Sequence, residues 1–217
     1  MNRTTVSKMA QRSAQDAFYM RRLRMLKVRQ ISSDFIEMIK LDLFEKEDLK
    51  RIIEWNANKS ADDLLQWAGP MYNYPLTLVQ VENYFLNEVE KDNSNIFVYK
   101  IQLINTGEII GTIELREVDE NNKIGKICRF LIGEENIRGR GVGTEVLKEI
   151  LRIGFEDLKF EKITLGVFDF NQSAIKCYEN AGFTKVKFTE NARKSSNGYW
   201  NLYEMIISKD EWQIKNK

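Results

Sequence analysis

From Met38 onward the hydrophobic positions follow two periods in turn. Ile39, Leu41 and Leu43 recur at every second residue, the spacing that turns one face of a strand inward. Between Lys46 and Ala57 the apolar residues Leu49, Ile52, Ile53 and Trp55 fall at helical spacing. Asn58 to Pro75 keeps neither period and reads as a loop region, with Gly69-Pro70 and Pro75 as breakers and Trp67, Tyr72 and Tyr74 along it. Thr77 is placed to cap a helix running through Glu90. Strands are predicted over Ile96 to Ile104 and Ile109 to Val118, joined by the turn Asn105-Thr106-Gly107. Asn121-Asn122 then turns the chain into a further strand, Lys123 to Ile132.

In the second half, glycines at 139, 141 and 143 stand directly before a long amphipathic pattern. Val146, Leu147, Ile150, Leu151, Gly154, Phe155 and Leu158 form its apolar stripe. A strand follows at Ile163 to Phe168. Asn171 is placed to cap a short helix that buries Ala174, Ile175, Tyr178 and Ala181 and stops at Gly182. Strands over Phe183 to Phe188 and Gly198 to Ile207 close the pattern.

Composition narrows the chemistry. At 217 residues and 43% hydrophobic, the chain suits one domain with an extension. It contains no histidine, which excludes Ser-His-Asp and Cys-His nucleophiles and histidine-based metal or acid-base sites. Its two cysteines, Cys128 and Cys177, cannot make a zinc site by themselves and lie too far apart for a Cys-x-x-Cys pair, so no metal is expected. The overall charge of +1 speaks against nucleic acid as a partner, and no apolar run is long enough for a membrane span. With no secretory signal pattern, a cytoplasmic protein is expected. Residues 1–37 hold eight basic and three acidic side chains, against a net −4 for the rest. They read as a basic N-terminal extension, helical or disordered, ahead of a domain at 38–217.

The glycine loop carries the most specific signal. Glycines between a strand and a helix leave backbone N–H groups uncovered at the positive end of the helix dipole, a setting that binds phosphate. A P-loop would need Lys after Gly143, where Thr144 stands, and a Gly-x-Gly-x-x-Gly dinucleotide loop would need glycine at 144. The segment present is Arg138-Gly139-Arg140-Gly141-Val142-Gly143. It resembles the Arg/Gln-x-x-Gly-x-Gly/Ala pyrophosphate loop of the GNAT family of N-acetyltransferases. Downstream, Asn171-Gln-Ser-Ala-Ile-Lys-Cys-Tyr178-Glu-Asn-Ala-Gly182-Phe183 resembles the same family's Asn-x-x-Ala-x-x-x-Tyr-x-x-x-Gly-Phe stretch. The likeness covers Met38 to about Ile207. The Leu-x-x-Trp-x-Gly stretch, Leu64 to Gly69, gives it the look of the ribosomal-protein and aminoglycoside N-acetyltransferase branches.

The resemblance implies an α+β fold: a mixed, mostly antiparallel central sheet flanked by helices, with a splayed pair of parallel strands, here Ile127 to Ile132 and Ile163 to Phe168. It implies an acetyl-CoA-dependent N-acetyltransferase that passes an acetyl group directly to a primary amine in a ternary complex. The acceptor would be a small molecule or a protein N-terminus. A non-catalytic acyl-CoA-binding or interaction module is the alternative, and a homodimer through the last strands is compatible with either. By carry-over, Leu131, Ile132 and Gly133 would meet the pantetheine arm. Arg138, Gly139, Arg140, Gly141, Val142, Gly143 and Thr144 would hold the pyrophosphate, and Asn171 and Tyr178 would touch the cofactor. Tyr178 would be the general acid. The positions where relatives carry a glutamate base are Ile127 and Gly166, so the base is expected elsewhere, with Glu114 and Asp169 as candidates. Trp67, Tyr72 and Glu82 are the expected acceptor-side residues.

Overall fold

The computed structural model describes residues 39–216; the basic segment expected at 1–37 lies outside them. The chain begins with β1 (Ile39–Leu43), α1 (Leu49–Asn56), α2 (Ala61–Ala68) and α3 (Leu78–Tyr84). Strands β2 (Ile96–Leu103), β3 (Ile109–Asp119) and β4 (Ile124–Ile132) follow as a meander. Helix α4 (Val142–Arg152) then crosses to β5 (Lys162–Phe168), α5 (Gln172–Ala181) leads to the hairpin β6 (Thr184–Ser195) and β7 (Gly198–Ser208), and α6 (Lys209–Lys215) ends the description. The strands form one seven-stranded sheet in the order β1-β2-β3-β4-β5-β7-β6. All neighbours are antiparallel except β4 and β5, the pair joined through a helix, as a parallel connection requires. The mixed, mostly antiparallel sheet is the expected one.

Alternation along the strands divides the apolar residues between the two faces. Tyr99, Ile101, Ile110, Ile113 and Leu115 turn to the face covered by Val146, Leu147, Ile150 and Leu151 of α4 and Ile175 and Tyr178 of α5. Val98, Ile109 and Leu131 turn to the other face and meet Leu49, Ile52 and Trp55 of α1, Val81 of α3 and Phe85 just beyond it. The central strands are therefore covered on both sides.

Two stretches differ from the sequence expectation. The predicted loop at 58–75 contains α2, which starts where Ser60 accepts from the Asp63 amide and Asp63 accepts in return from the Ser60 amide. This reciprocal cap satisfies N–H groups that the segment's weak apolar period does not advertise. The last hairpin is longer than expected: β6 extends to Ser195 although it lies at the sheet edge and is mostly exposed. Its polar residues carry no burial pattern; pairing with β7 alone holds it, with register slips between Lys185 and Lys187 and between Thr189 and Arg193. Helices α3 and α4 each end in a wider turn closed by i→i+5 bonds, Glu90 N–H to Phe85 O and Leu158 N–H to Ile153 O.

Candidate active site

The site begins where two strands part. Strands β4 and β5 are paired only at Ile124 with Lys162, Gly125 with Ile163, and Lys126 with Thr164. Beyond these residues β5 stays bonded to β7 as far as Phe168 with Leu202, while its other edge is left without a strand partner. The cause of the divergence lies in β4. Its register with β3 slips between Thr112 opposite Leu131 and Glu114 opposite Cys128, and at the slip Arg129 adopts a left-handed backbone with φ of 45°. Such a bulge bends the strand that carries it and adds twist. The expected splay is therefore present, and it opens from Ile127 and Leu165 onward.

The backbone groups facing the gap follow from alternation. Gly133 donates its N–H to Ile110 O on β3, so its amide is committed to the sheet. Ile132 thus directs its own N–H and C=O toward the gap, and its carbonyl accepts two bonds from Arg138, at 2.9 and 2.7 Å. Of the three residues expected to meet a pantetheine arm, Ile132 has the suitable orientation. Leu131 pairs with Thr112 and packs its side chain against the α1–α3 face.

Next to the gap, the glycine loop opens outward. Gly139 and Gly141 have φ of 78° and 84°, and a Cβ at either position would meet nothing within 4 Å. Left-handed backbone at these two residues turns the chain without closing it, a conformation that glycine adopts at little cost. Among the described residues the N–H groups of Gly139, Gly141, Val142 and Gly143 make no backbone hydrogen bond, whereas those of Arg138 and Thr144 are taken by Glu135 O and Gly141 O. No side chain caps α4 at Gly141. The expected anion-binding turn is thus narrower than the full 138–144 segment. Arg140 is exposed beside it, and Arg138 braces the loop against β4 instead of reaching outward.

Helix α5 lies behind the gap. Asn171 caps it by accepting from the Ala174 amide at 3.2 Å, as expected, and Gly182 ends it with φ of 111°. Tyr178 is buried on the inner face of α5, edge-on to Phe183 at 6.1 Å. Burial pushes its phenol pKa well above the usual tyrosine value, and the nearby thiols Cys177 and Cys128 push the same way. Cys177 sits under the glycine loop, 3.5 Å from the Thr144 hydroxyl, and burial raises its pKa too.

On the other face of β4 lies a charged cluster that the sequence did not announce. Glu114, 1% exposed, accepts at one oxygen from Arg116 and Arg129 and at the other from Arg129 and the Tyr84 hydroxyl. Arg116 and Arg129 also donate to the Tyr84 oxygen, and the Arg129 guanidinium lies 4.6 Å from the Tyr84 ring centre. Glu114 is thus a counter-ion with both oxygens occupied, which leaves it no room to act as the base considered above. Arg129 escaped notice because alternation from Ile127 puts residue 129 on the α4–α5 face; the bulge shifts the phase and sends it to the opposite one.

Trp67 and Tyr72 are brought together here. With Tyr84, Glu114, Arg129 and Thr112 they line a cavity whose other walls are apolar, Phe44 and Phe85 among them. Tyr72 packs edge-on against Tyr84 at 5.9 Å, and burial raises its phenol pKa. Tyr72 also borders a wider groove of about 280 Å³ between α2 and the β6–β7 turn. Asp62 bridges that groove by accepting from the Ser196 amide at 3.0 Å and the Ser196 hydroxyl at 2.5 Å. Glu82, on α3, does not line either space. Asp169 stands at the end of β5, where it accepts from Asn201 of β7 at 2.8 Å.

Known proteins resemble this chain in sequence and in fold. The model of the acetyltransferase (GNAT) family matches residues 45–183. The chain is 24% identical to the SPbeta prophage-derived uncharacterized N-acetyltransferase YokL of Bacillus subtilis over 180 residues, 83% of this chain and 89% of the relative. It is 28% identical to aminoglycoside N(6')-acetyltransferase type 1 of Klebsiella pneumoniae over 159 residues, 69% of this chain and 75% of that one. In fold it resembles the spermidine N-acetyltransferase of Vibrio cholerae crystallised with CoA and spermine. The TM-score is 0.70 at 19% identity, over 81% of this chain and 98% of that one. The bulged and parted strands, the open glycine turn and the family match agree: this chain belongs to the GNAT acetyltransferase family and is an N-acetyltransferase.

Proposed function

We propose that acetyl-CoA lies in the gap between β4 and β5, with its pyrophosphate on the amides of Gly139, Gly141, Val142 and Gly143. One observation carries this reading: β4 and β5 part beyond Lys126 and Thr164, and the turn that follows β4 leaves its amides without backbone bonds. Oriented N–H groups at a helix N-terminus attract a diphosphate, and the N–H of Ile132, whose carbonyl is already taken by Arg138, offers a strand-like donor to an amide-bearing arm. The acceptor amine enters from the opposite face, past Tyr72, and attacks the thioester carbonyl. A C–N bond forms and the C–S bond breaks, and the departing sulfur takes its proton from Tyr178. The raised pKa keeps the phenol protonated but makes it a weaker acid, so the transfer depends on the thiolate being disfavoured as well. The same apolar surroundings disfavour the thiolate, so donor and acceptor stay matched. With Glu114 committed, Asp169 is the carboxylate we retain for taking the ammonium proton. We assign the reaction to the cytoplasm on the strength of its use of acetyl-CoA.

Two variants separate binding from chemistry. In Tyr178→Phe, thiol release from acetyl-CoA with an amine acceptor falls roughly ten- to a thousandfold while CoA affinity stays within error. In Gly141→Val, a β-branched residue is forced to positive φ at the loop, and CoA affinity itself collapses. Unchanged turnover in the first variant removes the acid; unchanged CoA binding in the second removes the loop.

A further inference from the structure

The cluster on the acceptor side has unbalanced charge. Arg116 and Arg129 share the single carboxylate of Glu114, and Tyr84 contributes only a neutral hydroxyl. One positive charge is therefore left over beside a cavity walled by Phe44, Leu49, Ile52 and Val81. The other acid near Arg116 is Glu88, which is held by Lys91 at 2.8 Å. Arg116 shows a quarter of its side chain to solvent, which hydrates part of this charge, whereas Arg129 is 11% exposed and holds its share beside the apolar walls, where a counter-charge would offset the cost.

The backbone singles out Arg129 as the residue that answers to it. Its φ of 45° is a conformation in which glycine or asparagine sits with less strain, yet an arginine occupies it. The side chain is 11% exposed and lines the cavity. Its Nε and Nη2 are spent on Glu114 and Tyr84, and among the described residues Nη1 has no hydrogen-bond partner. A guanidinium edge of this kind offers planar donors to a carboxylate.

We propose that the acceptor amine belongs to a molecule that also carries a carboxylate, received by Nη1 of Arg129, and that polycationic amines are poor acceptors. The inference rests on the acetyl-transfer reading above and adds the acceptor class to it. A polyamine would bring several positive charges to a cavity that already holds an excess one. Its neighbouring groove supplies only Asp62, engaged by Ser196, and Lys194. A carboxylate-bearing amine instead neutralises the cluster on binding.

The test uses the full chain and thiol release from acetyl-CoA. Amino acids and acidic amino sugars serve as acceptors, each paired with its uncharged carboxamide, with spermidine alongside. The expected result is a kcat/KM for the carboxylate member roughly ten- to a hundredfold above its carboxamide, with spermidine lower still. In Arg129→Gln the ratio within each pair falls toward one while CoA affinity is retained, and Arg129→Lys restores part of it. Equal rates within the pairs, or preference for spermidine, would overturn the acceptor class and leave the acetyl-transfer reading standing. No thiol release from any acceptor, with CoA still bound, would overturn both.

Discussion

At the scale of single residues, Glu114 shows how one buried charge organises a face of the sheet. It draws Arg116 from its own strand, Arg129 from the bulge of β4 and Tyr84 from α3. Removing one member of a buried ion pair leaves the others desolvated without compensation, which costs more than the pair contributes. Glu114→Gln keeps the shape and deletes the charge, so the two guanidiniums face each other across a neutral amide. The expected loss is about 3 kcal/mol of folding stability, read as a lowered urea midpoint. A midpoint equal to that of the parent would mean that the arginines are solvated well enough to need no counter-ion. Arg129 explains why this cluster was not legible in the sequence. A bulge without glycine leaves no mark in the residue pattern, and the alternation on either side of it looks unbroken. Gly139, Gly141 and Tyr178, by contrast, lie in segments whose residue types and spacing state their conformation, and there the expected loop and helix are the observed ones.

Among elements, the β6–β7 hairpin and α2 form a clasp over the wider groove. Asp62 lies in the first turn of α2 and Ser196 in the turn of the hairpin, so the contact ties the beginning of the domain to its end. Both elements were underread from sequence for one physical reason: each is held by polar contacts, and hydrophobic periodicity is blind to those. The strands built on apolar stripes were legible to within a residue, and the helices to within about three once the wider turns that close α3 and α4 are counted with them, because burying those stripes is what fixes them. The clasp gives an element-level prediction. Asp62→Ala frees the hairpin tip without touching the glycine loop, so KM for the acceptor rises several-fold while CoA affinity holds. Titration calorimetry with CoA and steady-state kinetics with the acceptor distinguish the two. A rise in the CoA dissociation constant, with acceptor KM unchanged, would place the clasp on the cofactor side instead.

For the molecule as a whole, the way its buried groups titrate makes it a protein sensitive to alkali. Tyr72, Tyr84 and Tyr178 all have raised phenol pKa values, chiefly through burial; at Tyr84 the Glu114 charge adds to the rise and Arg129 opposes it. The thiols of Cys128 and Cys177 are raised by burial as well. In each case the folded state holds its proton more tightly than the unfolded state does. The stabilising contribution is therefore complete below the unfolded pKa and is lost as pH climbs from there toward the folded value. The window opens near pH 9 for the thiols and near pH 10 for the phenols, the ordinary values from which they depart. The lowered carboxyls, among them Asp63 in the α2 cap and Glu211 in the α6 cap, lie near the surface and act at the acid end, where their contribution fades as pH falls. Stability should thus be level across neutral pH and drop steeply above about pH 10, each fully buried phenol adding up to roughly 1.4 kcal/mol per pH unit to the slope. Denaturant midpoints between pH 7 and 11 measure this. Tyr72→Phe and Tyr178→Phe together should flatten the alkaline limb, because phenylalanine keeps the packing and has no proton to lose; an unaltered limb would show that these rings ionise as readily inside the fold as outside it.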